Sequence, residues 1–491
     1  MRIIVILMTL LSMNFARADS MEKDTLVQRA QNLERAQKAL VSIKTDINKS
    51  AYGPTSVVYK SGFIIDVGRG WVVTNIHAAD YGGVVASYEI TFFGGQKLEA
   101  KSIYRDPLYN IQVLSFDTSK LIVPLAELNT FSSDLHLDDR VILYGKKMGQ
   151  DIIQQGTLSN LYQTSGTLVK QVMRVSLNTP GSSMGGPVLD KQGLLVGLVL
   201  HSDQTFAEVL WGGYIEDVLI HLRENKKPHR WFFKDTYIES VSLSDAVKYL
   251  KFSPKRLQDF IARYPEALSY GLMVTRIGEK SAFVLGDVIL SVNGKPIGPS
   301  LFDFQHMINH HNQKTVSVRV VRFGGEQDLE VSLWNAWDYV IQEMILFGGA
   351  LFYESDALLS VAYNLPLRSL MVSKTLPGSV FSGVFPMIPT RDPLSVTNLV
   401  SLDSQSVFSL KDLEKVIVQV KGKPYVPVAF KDCGCALLGP GLLGSNRLPT
   451  IGFVDFIAST TVPEKLRWSE EKHEWDSQTQ LAQTQKTPVQ K

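Results

Sequence analysis

The chain has 491 residues, 50 Lys+Arg against 48 Asp+Glu, 45% hydrophobic residues and two cysteines. That length suggests about three domains, and a formal charge of +2 leaves no basic field to hold nucleic acid. Two cysteines exclude a disulfide scaffold and a four-cysteine zinc site, and beyond the N-terminus no apolar run approaches the ~20 residues that span a bilayer.

At the N-terminus, Arg2 precedes an apolar stretch from Ile3 to Phe15, broken by Thr9, Ser12 and Asn14, and Ala16-Arg17-Ala18 presents a small-x-small pattern. This predicts a signal peptide over 1–18, cleaved after Ala18, and a periplasmic or secreted protein. Over 19–49, Leu26, Ala30, Leu33, Ala36, Leu40 and Ile43 recur at three- and four-residue steps, which predicts an amphipathic helix. From 50 to 222 the pattern changes to short β-branched and aromatic runs broken by Gly, Asn and Asp, the signature of an all-β barrel or sandwich.

Residues 223–229, ending in Lys226-Lys227-Pro228, read as a charged linker. An internal repeat follows. Gly271-Leu272-Met273-Val274-Thr275-Arg276 recurs as Ser369-Leu370-Met371-Val372-Ser373-Lys374. Val288 to Asn293 recurs as Asn398 to Asp403, and Phe302-Asp303-Phe304 as Phe408-Ser409-Leu410. Two α+β modules are expected, over 230–335 and 345–432, then an extension over 433–462 and a polar, disordered tail over 463–491. Cys433-Gly434-Cys435 could form only a strained bridge, so free thiols and a redox-labile pair both stay open.

Two segments of the β-rich region carry residues suited to acyl transfer. Thr74-Asn75-Ile76-His77 puts an imidazole directly after a strand, and Thr179-Pro180-Gly181-Ser182-Ser183-Met184-Gly185-Gly186-Pro187 is a glycine-rich turn before another. A serine hydroxyl is a poor nucleophile until an imidazole takes its proton, and backbone N–H groups in a tight Gly-x-Ser turn can hold the oxyanion that forms.

These motifs resemble the trypsin-like, HtrA/Do-like serine proteases that carry PDZ domains. Thr74-Asn75-Ile76-His77 is similar to the family's Thr-Asn-x-His, and Asp106 to Leu114 to its Asp-Pro-x-x-Asp-Ile-Ala-Val-Leu. Pro180 to Pro187 resembles Pro-Gly-Asn-Ser-Gly-Gly-Pro, and Gly286-Asp287-Val288-Ile289-Leu290-Ser291-Val292-Asn293-Gly294 resembles the PDZ signature. The resemblance implies a mainly β, multidomain chain: a trypsin-like double β-barrel followed by two α+β PDZ-like modules. It also implies a homo-oligomer built from trimers, acting on unfolded or misfolded envelope proteins and peptides.

Carried over residue by residue, the resemblance makes His77 the general base and Ser183 the nucleophile, with the Gly181 and Ser183 N–H groups as oxyanion hole. Asn110 stands where the family has the triad aspartate, and Met184 is one residue more than the family has before Gly-Gly-Pro. Counted back from the glycines, Met184 takes the nucleophile's place; counted forward from Pro180-Gly181, Ser183 does. Asp106 is a remote substitute for the missing carboxylate. The expectation is a serine endopeptidase weakened by these changes, and the alternative a silent, chaperone-like or scaffolding peptide-binding protein.

In the first module the resemblance places a peptide-carboxylate loop at Tyr237-Ile238-Glu239-Ser240, with Glu239 where glycine is usual. No cofactor is expected. His201 and His310-His311 have no carboxylate or cysteine at metal-ligand spacing, and no phosphate-binding Gly-x-x-x-x-Gly-Lys-Ser/Thr is present.

Overall fold

The computed structural model describes residues 30–49, 56–76, 85–147, 150–164, 170–178, 183–234, 236–277, 281–362, 365–372, 379–381, 396–433, 450–454 and 463–478. The expected signal peptide, His77, Gly181, Ser182 and Cys435 lie outside the described residues.

A helix over 30–39 (α1) leads into six strands: β1 (Leu40–Lys49), β2 (Ser56–Asp66), β3 (Trp71–Asn75), β4 (Val85–Thr91), β5 (Lys97–Arg105) and β6 (Ile111–Phe116). They close a barrel in the order β1-β2-β3-β6-β5-β4, the seam being the pairing of β1 with β4. The expected helix over 19–49 therefore stops ten residues short of Lys49, because β1 is itself ten residues long. Leu40 and Ile43 fit a helical period, but Val41, Ile43 and Thr45 are fully buried at every second position. That period of two suits a strand with one face in a barrel core, and burial outweighs local propensity.

A second barrel follows: β7 (Arg140–Lys147), β8 (Gln150–Thr164), β9 (Gln171–Leu177), β10 (Pro187–Leu189), β11 (Leu195–Ser202) and β12 (Phe206–Trp211), in the order β10-β11-β12-β9-β8-β7. Each barrel fills its own interior: Ile43, Ile64, Val72, Ile90 and Leu114 in the first, Val141, Leu158, Val175, Val188 and Val199 in the second. A separate cluster including Ala36, Leu40, Phe63, Val73, Tyr144, Leu198 and Leu210 joins the barrels. The chain thus has the trypsin-like double β-barrel.

Helix α2 (Gly212–Arg223) lies against β11 and β12 and leads to the expected linker over 223–229. That segment is clasped to the body. Trp337 Nε1 donates to the Pro228 carbonyl at 2.7 Å, and Arg230 just beyond it is fully buried. β13 (Trp231–Phe232) then opens the first C-terminal module, which holds β14 (Thr236–Ser242), α3 (Leu243–Tyr249), α4 (Pro254–Arg263), β15 (Tyr270–Ile277), β16 (Val288–Val292) and β17 (Lys295–Pro296). It continues through α5 (Leu301–Asn309), β18 (Thr315–Arg322), β19 (Gly325–Ser332) and β20 (Trp334–Asn335). Its sheet runs β14-β15-β16-β18-β19, and β13 pairs with β20.

The second module contains β21 (Glu343–Phe347), β22 (Ala350–Glu354), α6 (Ala357–Ala362), β23 (Leu370–Val372), β24 (Val396–Leu402), β25 (Gln405–Ser406), α7 (Leu410–Val420), β26 (Val426–Cys433) and β27 (Thr450–Val454). The sheet order β27-β26-β24-β23-β22 matches β19-β18-β16-β15-β14 strand for strand. The helices align differently from the sequence pairing of Ser409 with Asp303. Ser300 Oγ accepts from Asp303 N–H and Ser409 Oγ from Asp412 N–H, so these two serines are the equivalent helix caps.

Two further expectations change here. The tail from 463 is not wholly without structure. β28 (Glu464–Ser469) and β29 (Glu474–Gln478) form a hairpin, and β28 pairs with β21 to extend the second sheet. Trp468 packs edge-on to Trp475 at 5.7 Å across this hairpin, and Lys465 reaches both Glu343 and Glu414, so a polar-looking segment has specific partners. The extension over 433–462 contributes β27, which pairs with β26.

Lys170, just before β9, is 2% exposed, and burial pushes its amine down to about 8 despite opposing attraction from Glu208 and Asp106. The unfolded chain therefore binds the extra proton between about pH 8 and 10.5. Stability carries the full penalty below about pH 8 and recovers as the pH rises through that window. Lys170→Met is expected to stabilise the barrel by on the order of 3 kcal/mol at neutral pH. Urea midpoints of variant and parent should converge by more than half of that gap near pH 9.5, and a pH-independent gap would refute the assignment.

Candidate active site

Each site segment is fixed by contacts that the sequence encodes locally. On β3, the β-branched run Trp71-Val72-Val73-Thr74 suits a strand. Thr74 Oγ1 donates to the Ser61 carbonyl at 2.7 Å, and buried Lys60 donates from Nζ to the Asn75 carbonyl and to Gln112 Oε1, both at 2.9 Å. Gln112 in turn donates to Tyr88 and Ser102 hydroxyls at 3.0 Å. The strand that delivers His77 is thus held by a buried polar network, up to the last described residue before it, Ile76.

Asn110 caps that strand end. Its backbone sits at φ 61°, in the left-handed region that Asn tolerates best among residues with a side chain. Its Oδ1 accepts the Ile76 N–H at 2.7 Å. The amide oxygen therefore orders the backbone immediately before the histidine.

Asp106 is ruled out as the triad's missing carboxylate. It is buried and accepts from the N–H groups of Leu108 and Tyr109, from the Tyr104 hydroxyl at 2.5 Å and from Arg230 Nε at 2.6 Å. Burial pushes the Tyr104 hydroxyl up, so it stays protonated as a donor to Asp106. This carboxylate is committed to its own turn and to Arg230.

The glycine-rich turn is pinned at its far end. A Cβ on Gly186 would overlap the Tyr144 carbonyl, and Gly185, at φ 79°, lies against the Ser61 carbonyl. Gly185 N–H donates to the Val199 carbonyl at 2.8 Å, and Gly186 N–H to the Ser183 carbonyl at 2.8 Å. These contacts fix Gly185 and Gly186 directly after Met184. Ser183 is fully buried, with Oγ donating to Gln154 Oε1 at 2.7 Å and N–H to Ser202 Oγ at 3.3 Å. The hydroxyl thus faces β8, and the N–H is bonded within the second barrel. Met184, half-buried, follows directly, and its carbonyl accepts the Ser61 N–H across the barrel interface at 3.1 Å.

Ser61, Gln154 and Arg230 are the site residues that sequence reasoning missed. Ser61 joins the barrels: besides Met184, its Oγ accepts the Lys146 N–H at 2.8 Å. Only Ser61 left a trace in the sequence, as the small residue before Gly62 opening a β-branched run.

The expected peptide loop lies on β14, an outer strand of its sheet with a bulge between Tyr237 and Ile238. Ile238 is buried, Glu239 and Ser240 are half-buried, and the Arg276 guanidinium lies 3.8 Å over the Tyr237 ring. The outward edge of β14 is partly taken: Ser240 N–H donates to Thr164 Oγ1 of β8 at 3.1 Å. In the second module the corresponding strand, β22, is covered along its edge by β21. No strand can be added there while β21 is in place.

Comparison with known proteins agrees with this architecture. Residues 60–198 match a trypsin-like peptidase domain. An uncharacterised protein of Rickettsia prowazekii is 26% identical over 186 residues, covering 37% of this chain and 95% of its own. An HtrA-like serine protease of Staphylococcus haemolyticus is 24% identical over 337 residues, covering 62% of this chain, which spans 50% of that relative's length. The solved HtrA-type protease AlgW with a tripeptide aligns at a TM-score of 0.45 and 16% identity, covering 62% of this chain and 97% of its own. The double barrel is a trypsin-like peptidase domain, the framework of a serine-type endopeptidase. Relatives that share this domain include proteins named as HtrA-like serine proteases.

Proposed function

We propose that the chain is an HtrA/Do-like serine endopeptidase for unfolded or misfolded envelope proteins, held at low turnover by its own glycine-rich turn. The observation that carries this is the buried Ser183–Gln154 hydrogen bond. A hydroxyl bonded inside the barrel must leave that partner before an imidazole can take its proton. His77 is the general base in this reading, Asn110 orients it through the Ile76 backbone, and the Gly181 and Ser183 N–H groups serve as oxyanion donors once the turn opens. The signal-like N-terminus supports export, and no helix among the described residues is long and apolar enough to cross a membrane. The family resemblance supports a trimer-based homo-oligomer, and the sheet repeat supports PDZ-type modules. Of these, the first supplies a strand edge at Tyr237 to Ser240 for peptides, part of it now held by Thr164, with Glu239 disfavouring a terminal carboxylate.

A second reading is a silent, chaperone-like peptide-binding protein. It is favoured by the register of the turn, in which Met184 stands next to the pinned glycines. Covalent labelling with a fluorophosphonate separates the two. The first reading expects slow labelling of the parent, lost in Ser183→Ala and kept in Ser182→Ala. It also expects Gln154→Leu to label about tenfold faster, since one buried hydrogen bond is worth ~1–1.5 kcal/mol. A folded parent and Gln154→Leu variant that both fail to label would establish the second reading.

A further inference from the structure

The fold brings together a set of ligands that are distant in sequence. On α2, Asp217 and His221 are one turn apart; His306 lies on α5, and His310, one turn on, caps that helix. The helices belong to different parts of the chain, α2 to the barrels and α5 to the first module. Asp217, His221 and His310 each offer a ligand atom within 4.8 Å of the other two. His306 completes the group, its Nδ1 4.0 Å from Asp217 Oδ1 and its ring 4.0 Å from that of His310.

We propose that Asp217, His221 and His310 bind a divalent transition-metal ion of the Zn2+ type, bracing the barrels against the first module. Two imidazoles and a carboxylate are the donor set that Zn2+ accepts, with a fourth position left for water or His306. The imidazoles are already oriented for it. His221 Nδ1 lies 2.8 Å from the Asp217 carbonyl and His310 Nδ1 2.9 Å from the His306 carbonyl. Each contact favours the tautomer with hydrogen on Nδ1, leaving the Nε2 lone pair for a metal.

The carboxylate is shared in a way that suits a cation. Asp217 Oδ2 accepts from Arg230 Nη1 at 3.1 Å, and Arg230 also serves Asp106. Two carboxylates facing one guanidinium leave one negative charge, which a cation near Oδ1 offsets. His310 is exposed, so the ion has a path from solvent. Binding would draw the ligand atoms to about 3.3 Å apart, the spacing that bonds of ~2.0–2.1 Å set in a tetrahedron.

The test is a titration of the metal-stripped full-length chain with Co2+, followed by its visible absorption, and displacement by Zn2+. One equivalent per chain is expected, with a raised thermal midpoint. His310→Ala, on the exposed side and without fold consequences, should weaken binding at least tenfold, and His221→Ala with His310→Ala should remove it. Cys433→Ser with Cys435→Ser should leave it unchanged. Unaltered affinity in His310→Ala, binding lost with the cysteines instead, or no stoichiometric binding by the parent would each overturn the assignment.

Discussion

Replacing Met184 with Ser and Asn110 with Asp together should raise hydrolysis of an unfolded substrate by about 10² to 10⁴-fold over the parent. The lower bound is the usual contribution of a general base, and the upper is the cost of the reverse Asp-to-Asn change in a Ser-His-Asp protease. The argument is geometric. Gly185 and Gly186 cannot take a side chain, because the carbonyls of Ser61 and Tyr144 occupy the space a Cβ would need, and their N–H groups are bonded to Val199 and Ser183. The residue directly before them is Met184, whose carbonyl is already tied to Ser61 N–H. Met184→Ser therefore places a hydroxyl beside the pinned glycines and leaves Ser183 on Gln154, undisturbed. Asn110→Asp is compatible with its surroundings. A carboxylate oxygen can accept the Ile76 N–H as Oδ1 does now, aspartate tolerates the same left-handed backbone, and the added charge stabilises an imidazolium. The single Asn110→Asp change should give the smaller gain. Steady-state cleavage of a denatured protein, with the barrels shown folded, decides it. A double variant no faster than the parent would mean that the oxyanion donors, and not these two positions, are what the turn lacks.

An all-β barrel or sandwich was legible in the sequence, because Gly, Asn and Asp punctuate its β-branched runs, and the double barrel followed from the resemblance its motifs carry. What escaped depends on contacts between distant segments. Leu40 to Lys49 satisfied a helical count until Val41, Ile43 and Thr45 were seen facing a barrel core. The tail's Lys465 and Trp468 looked solvated until Glu343, Glu414 and Trp475 met them. At the site, sequence left the Ser183 and Met184 registers open. The pinning of the glycines rests on how closely Gly186 approaches Tyr144, 42 positions earlier in the chain. His310 was dismissed as a metal ligand for want of a carboxylate nearby in sequence, whereas Asp217 reaches it only through the packing of α2 on α5.

Arg230→Met should destabilise the barrels by about 3–5 kcal/mol, the usual result of removing one partner from a buried ionic group. Arg230 is fully buried at the end of an otherwise exposed segment. Its Nε and Nη1 serve Asp106 at 2.6 Å and Asp217 at 3.1 Å, and its guanidinium lies 4.6 Å over the Tyr109 ring. Burial alone would lower its basicity, but Asp106 and its other neighbours carry it well above the ordinary value, so the charge is held. Methionine fills similar volume and leaves both carboxylates without the cation they share. Arg230→Lys should recover only part of the loss, because a point charge cannot bridge two carboxylates as a planar fork does. Arg230→Met with Asp106→Asn should be less damaging than the sum of the single changes, which gives a coupling of at least ~1 kcal/mol in a double-mutant cycle. The consequence reaches the site by a short route. Asp106 shapes the turn that ends at Asn110, and Tyr109 in that turn accepts from Asn309 Nδ2 of α5 at 2.9 Å. One buried arginine thus ties the turn before the candidate triad to the first module. In the Met184→Ser, Asn110→Asp background, Arg230→Lys should therefore cost turnover as well as stability. A first urea transition for Arg230→Met within 1 kcal/mol of the parent would show that the two carboxylates find other partners and that the tie is not needed.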